Sequence, residues 1–530
     1  MQELIYQEMK KITGFPNADS SYSPVFSSIG LNVSPNRNGV SNLYLSYNGS
    51  TRSVFNGLIG LPFPLNTSLS NVYKLVFGFS KGTLAFWKND GFIFECEGIP
   101  ELPLLASVSS ATAEMWIDRE ASDSEYLILH GYSVNNSLFD PDAVVPFIFG
   151  IRAIDGTLET DGGFRAKAKD GKITLAFDFE ALKATTKYVR NMLACAPQSA
   201  EEASRLCRRW IRNNAQAFEF EAADEQQAKN IAYALKGMLF NFTKAQGRFD
   251  NSVVPFPSRG TAAYTSVWDL FFANPGYSLL GTNVSKDFIR NITKTSRSDG
   301  KISPLICSTY ERNDIGFYPL LGRMVLNEID FDYSFGWDVF EAIEDNNKWW
   351  LTARMSDCGL IFEEIYKRPI ITVAVNAFLF DQFNATAELA VRLGLEEKSV
   401  KWSGRAKELE KTIIANFYDR ENNTYNISNF NREGSTRIEA ENPDDFSLLI
   451  PLWAGVDIGE ENAIDMVKKF VLPGEATSVE QTVIRLDILK RYGFEAEYAE
   501  TKKMFLDSFK KPADFNNSVV CAEYLKLLTE

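Results

Sequence analysis

The chain has 530 residues, with 55 Lys and Arg against 69 Asp and Glu and a formal charge of −14. The acids are spread along the chain and no basic face is evident, which excludes nucleic acid as the expected partner. A content of 45% hydrophobic and 13% aromatic residues predicts a large buried core in one to three domains.

The first fifteen residues carry no apolar run, and no stretch of eighteen apolar residues occurs. The expectation is therefore a cytoplasmic protein without a signal peptide or a membrane-spanning helix. Six cysteines lie without CxxC spacing, which reads as free thiols and not as a disulfide frame or a zinc site. The one histidine, His130, sits in an apparent strand, LILHGYSV. Read as a structural residue, it removes Ser-His-Asp, Cys-His and His-metal chemistry. No metal or cofactor is expected, and acid–base work falls to Asp, Glu, Lys or Tyr.

Residues 1–185 read as a β-sandwich domain: short β-forming runs such as VSNLYLSY, GFIFECEG and KITLAFDF alternate with Gly, Asn, Asp and Ser turns. Residues 186–222 hold a linker helix, EEASRLCRRWIRNNAQAF. From residue 223 the period becomes helical, and helices come in pairs, the first amphipathic and the second more apolar. The pairs are 223–246 with 266–280, 283–296 with 316–328, 331–354 with 369–394, 396–417 with 444–455, 459–471 with 477–492 and 496–510 with 516–528. Six pairs predict an (α/α)6 toroid over 223–530, of the six-hairpin kind; an irregular α-solenoid would give a similar count.

In a toroid the loops before the second helix of each pair share one rim. These loops carry Arg259, Trp268 and Asp269; Arg297 and Asp299; Glu363 and Glu364; Arg437, Glu439, Glu441, Asp444 and Asp445; and Asp514. Aromatic faces stack on pyranose C–H surfaces while arginines and carboxylates hold hydroxyls, so the set fits a carbohydrate. Each motif also has a plainer reading. Trp268 serves as a core residue with Asp269 as a helix cap, and the Glu441–Asp445 acids favour a helix dipole. Glu363 and Glu364 form a solvated pair before a helix starting near Pro369. Asp345 falls inside an outer helix, with Trp349 and Trp350 as packing residues.

The stretches VPFPSRG, VWDLFF and RSDGKISPLI, the paired-helix sequence over 376–426, PDDFSLLIPLWAGV and IRLDILKRYGFEAEYAE together resemble inverting glycoside hydrolases of the trehalase, mannosylglycerate hydrolase and glucoamylase-like group. The similarity runs from about Asp250 to the C-terminus. It implies an (α/α)6 barrel behind an N-terminal β-sandwich and hydrolysis of an α-linked glucoside or mannoside with inversion, α-glucosidase-like, by two carboxylates.

The general acid of that group is an Asp in a segment that here reads FEEIYKRP, without the Asp. The segment is closer to the Trp-Glu-Glu of glucoamylases. On that likeness Glu363 matches the proton donor and Glu364 its neighbour. The base falls in the loop KKPADFNN, where Asp514 is the acid, with Glu441 as the alternative. Arg259, Trp268, Asp269, Arg297 and Glu441 are the expected substrate-binding residues. Two rival readings remain: a carbohydrate-binding protein of the same fold with a degenerate base, and a helical scaffold without a sugar site.

Overall fold

The computed structural model describes residues 82–206, 220–239, 265–306, 318–426, 446–472 and 478–530, with short breaks within these spans, and isolated helical or strand segments elsewhere. The chain divides into two compact units. The first is Met1–Thr265 with Cys307–Tyr310 and Asn516–Ser518; the second is Ser266–Ile306, Glu311–Phe515 and Val519–Glu530. The first is built largely on antiparallel sheet, and the second is mostly helical.

In the first unit, β1 (Ser21–Tyr22), β2 (Ile29–Pro35), β3 (Ser41–Tyr47) and β4 (Val76–Phe77) form one antiparallel sheet in that order. A larger sheet of seven strands contains β5 (Gly82–Lys88), β6 (Gly91–Glu97), β8 (Val108–Ser110), β9 (Ala113–Ile117), β10 (Tyr126–Val134), β11 (Val144–Asp155) and β14 (Lys172–Ala181). Its order is β5-β6-β14-β11-β10-β9-β8. Strands β7 (Glu101–Leu104), β12 (Thr157–Glu159) and β13 (Phe164–Lys167) make a third, small sheet.

Side chains alternate across a strand, so one face of the large sheet carries Phe92, Phe94, Phe149 and Phe177, all buried. Phe92 stacks on Phe177 with ring centroids 4.4 Å apart. The other face presents Ile93, Ile128, Ile148 and Ala176 to Val189 and Leu193 of helix α1 (Thr186–Ala194). Gly150 makes the close approach possible, because a Cβ there would stand 2.6 Å from both Val189 and Leu193.

Helix α1 is fastened at both ends. Thr185 caps its start by accepting from Tyr188 N–H, and Arg152 donates to the terminal carbonyls of Leu193 and Ala194. His130 belongs to this fastening: its Nε2 lies 3.1 Å from Asp118 and 2.9 Å from the Thr186 hydroxyl. The lone histidine ties the first turn of α1 to the sheet. Helix α2 (Glu225–Leu239) also lies in this unit.

The second unit alternates helices along the chain: α3 (Val267–Ser278), α4 (Val284–Lys294), α5 (Leu321–Ile329), α6 (Tyr333–Ala353), α7 (Val373–Arg392), α8 (Glu396–Phe417), α9 (Ile450–Ala454), α10 (Glu460–Met466), α11 (Val479–Arg491), α12 (Glu495–Asp507) and α13 (Ser518–Thr529). Each overlaps a segment read as helical in the sequence. Helix α7 encloses fifteen of its twenty residues, whereas α12 buries none.

Four buried polar side chains at the core of the unit satisfy one another. Gln382 donates to the carbonyl oxygens of Asn346 and Asn347, and Asn347 donates to Thr386 at 3.0 Å. Trp349 and Trp350 are buried at 4.9 Å from each other, and Asp345 pairs with Lys348 on the exposed side of α6.

One expectation is corrected. Helix α7 does not start near Pro369. Thr372 is its N-cap, with extended φ and ψ and a hydroxyl accepting from Val375 N–H. Pro369 lies in a two-stranded ribbon, Glu363–Ile365 paired with Arg368–Ile370, in register with Glu364. The β-branched Ile370 and Ile371 and a proline without an N–H suit an extended edge segment, and the helix begins where a threonine can cap it.

Candidate active site

Glu363 is the best defined of the sequence-expected site residues. The turn leading to it is closed by Ser356, whose N–H and hydroxyl both donate to Leu360 O, and by Gly359 at φ +79°. Glu363 is 8% exposed, and its carboxyl accepts a 2.7 Å hydrogen bond from the Thr372 hydroxyl. Burial pushes the carboxyl above the usual carboxylate range, and the Thr372 bond offsets this in part. The neighbouring Tyr318 phenol is pushed up to about 12, by its own burial and then by the Glu363 charge.

Tyr318 belongs to an aromatic cluster. Its ring lies 5.2 Å from Trp268 and 5.1 Å from Phe378. Trp268 also meets Phe378, and Phe378 meets Trp453, each at 5.8 Å. The cluster thus joins the first turn of α3 to α7 and α9, and a buried carboxyl lies beside it. Burial favours a protonated acid, and flat aromatic faces favour a sugar ring.

Below the aromatics the surroundings become charged. Trp453 donates its indole N–H to Asp487 at 3.0 Å. Arg323 pairs with the buried Asp381, its Nε 3.1 Å from Oδ2, and also feels Glu388 and Asp487. Sequence reasoning passed over Tyr318, Thr372, Asn376, Phe378, Asp381 and Trp453. Thr372 alone had a local signal, a threonine directly before an apolar helical run; the others acquire meaning only from partners on distant segments.

The other expected residues are placed as follows. Trp268 and Asp269 are half-buried in the first turn of α3. Arg297 pairs at 3.0 Å with Asp299 within its own turn, and both side chains are largely exposed. Asp514 stands in a short 3₁₀ turn, Pro512–Phe515, and its Oδ2 accepts from the N–H groups of Lys510 and Lys511, each at 3.0 Å. Those two bonds lower its pKa. Glu364 is located by its backbone in the ribbon. Arg259 and Glu441 lie outside the described residues. Among the described residues no cluster of His, Cys, Asp and Glu is arranged for a metal ion, and no helix is long and apolar enough to cross a membrane.

The trehalase family model matches residues 340–482, the span from α6 into α11 that holds Glu363, Thr372 and the aromatic and charged residues of α7 and α9. No curated protein sequence matches the chain. Among solved structures, the family GH92 α-mannosidase of Bacteroides thetaiotaomicron superposes with a TM-score of 0.58 at 12% identity, over 97% of this chain and 82% of that one. At that identity the likeness is one of fold. The GH63 mannosylglycerate hydrolase of Thermus thermophilus in complex with glucose gives 0.45 at 15% identity, over 55% of this chain and 98% of that one. The GH78 rhamnosidase of Bacillus sp. GL1 gives 0.48 at 12% identity, over 82% and 43%. Residues 340–482 are thus similar to the trehalase family, and the chain has a fold like that of the α-mannosidase.

Proposed function

We propose that the protein is an inverting α-glycosidase that cleaves an α-linked glucoside or mannoside in a site on an (α/α)6 toroid behind a β-sandwich. The observation that carries this reading is Glu363: a buried carboxyl with a raised pKa, held by one hydroxyl and set beside the Trp268–Tyr318–Phe378 cluster. A carboxyl whose proton is favoured by burial can give it to a leaving oxygen. Trp268 stacks on the sugar and Asp269 accepts from one of its hydroxyls.

Inversion needs a second carboxylate about 6.5–9.5 Å from the acid, with room for a water between them. Asp514 is the ionised candidate, its pKa held low by two backbone donors. The acid is tested with Glu363→Gln, which keeps the shape and removes the proton. Turnover of alkyl α-glycosides should disappear, while activated aryl glycosides, which need less protonation, should suffer less. Equal loss on both would remove Glu363 as the acid.

A second reading, binding without hydrolysis, draws on the same Asp514. Its Oδ2 is committed to two N–H groups of its own turn. Asp514→Asn decides between them: loss of turnover with retained monosaccharide binding supports the base. An inactive wild type that binds monosaccharides in isothermal titration supports the binding protein.

A further inference from the structure

We propose that Thr372, anchored by Asn376, is the positioning residue of the proton donor: its hydroxyl fixes which oxygen of Glu363 delivers the proton and stabilises the carboxylate that remains. The inference rests on Glu363 being the acid of the proposed glycosidase.

The geometry leaves the Thr372 hydroxyl little choice. Its oxygen accepts from Val375 N–H at 3.3 Å as the cap of α7, and its proton points to Glu363 Oε1 at 2.7 Å. Asn376 is wholly buried, and its hydrogen bonds serve the same junction. Its Oδ1 accepts from Ile361 N–H at 2.9 Å, and its Nδ2 donates to Ile361 O at 3.0 Å and Thr372 O at 2.8 Å. The strand that carries Glu363 is therefore stitched, two residues before the carboxyl, to the first turn of the helix that Thr372 caps. A cap of α7 alone would need only the Val375 bond.

The consequence for the reaction is specific. With Oε1 accepting from Thr372, the transferable proton resides on Oε2. In the proton-transfer step the Oε2–H bond breaks and an O–H bond forms to the glycosidic oxygen. The C–O bond to the sugar breaks with its electron pair going to that oxygen, while a water forms a new C–O bond to the anomeric carbon and gives its proton to the base. Glu363 is left as a carboxylate. A hydroxyl donating to a carboxylate is held more strongly than one donating to a neutral acid, so the Thr372 bond tightens as the reaction proceeds and lowers the barrier without tightening substrate binding.

The test combines kinetics with a titration that needs no turnover. Thr372→Val removes the donor and the cap; Thr372→Asp keeps a capping acceptor but offers no proton when ionised; Thr372→Ser keeps both functions. The expected result is a fall in kcat of roughly 10–100-fold for Val and Asp, the range for losing a hydrogen bond to a charged group. KM should stay unchanged and the alkaline limb should move to higher pH, with Ser recovering most of the rate. In parallel, the ¹³C carboxyl signal of Glu363, assigned by its loss in Glu363→Gln, should titrate at higher pH in Val than in wild type.

A wild type that turns over no α-glycoside would overturn the glycosidase reading alone, and the carboxyl titration would still decide the role of Thr372. An unmoved Glu363 titration in both Val and Asp would overturn that role. So would an active wild type whose Val and Asp variants lose only melting temperature.

Discussion

Glu523 is a buried carboxyl whose ionisation opposes folding. It sits on α13 at 1% exposure, with Lys526 Nζ at 3.5 Å and Asp487, Glu530 and Tyr498 around it. Burial outweighs the lysine and pushes its carboxyl up to about 7. Below the ordinary carboxyl value both folded and unfolded chains hold the proton. Between there and about pH 7 only the folded chain does, so stability falls across that window by a few kcal/mol and is flat above it. Glu523→Gln should therefore melt higher than wild type at pH 8 and at the same temperature near pH 4; equal melting at both would place the carboxyl in water. Glu363→Gln follows the same sign, its pKa being raised as well, and should gain stability at neutral pH while losing turnover. The Arg323–Asp381 pair behaves oppositely. Asp381→Asn would leave a largely enclosed guanidinium without its carboxylate, at a cost of about 3–5 kcal/mol read by denaturant unfolding.

At the scale of the element, α7 shows what was legible and what was not. Its apolar sequence announced a buried helix, and it is one. No local sign in the sequence shows that Asn376, Asp381, Gln382 and Thr386 on that helix are all buried and partnered, because Gln382 and Thr386 meet residues of α6 some 35 positions earlier. Proline drew the expected helix start too early, since the rule that favours it in a first turn competes with its fitness for an edge strand. Glu363 was legible as a candidate from its place before the helix; its hold by Thr372 was not, because it depends on a fold-back of the ribbon. Gln382→Leu should leave the oxygens of Asn346 and Asn347 without a donor and cost about 2–6 kcal/mol in chemical unfolding, at about 1–3 kcal/mol for each stranded group. A loss below about 1 kcal/mol would mean that water enters to replace the amide.

On the scale of the whole molecule, the switch from two-residue to helical periodicity was readable because burial enforces it along each element. The antiparallel sheets and the alternating helices of the second unit follow that pattern. Which loops meet was harder to read. Trp268, Tyr318, Phe378 and Trp453 converge from four separate stretches of sequence, and only Trp268 stood in a stretch read as part of the site. The proposed chemistry makes a prediction about the complete reaction. An α-glycoside hydrolysed with inversion releases the β-anomer first, so ¹H NMR within the first minutes should show the β-anomeric proton before mutarotation supplies the α-form. An initial α-anomer would mean retention and a nucleophile in place of a base.

Gly276 on α3 lies so close to α13 that a Cβ would stand 2.5 Å from the Cα and Cβ of Ala522. About 250 residues of chain separate these neighbours, and closing a loop of that length costs about 5 kcal/mol of chain entropy. On the ribosome, α3 emerges long before its partner exists, and its apolar face must wait until α13 has been made. The packing of the second unit is thus closed only once residues 518–529 have left the exit tunnel. A nascent chain stalled before residue 516 exposes an apolar seam, the kind of surface that chaperones occupy and that drives aggregation.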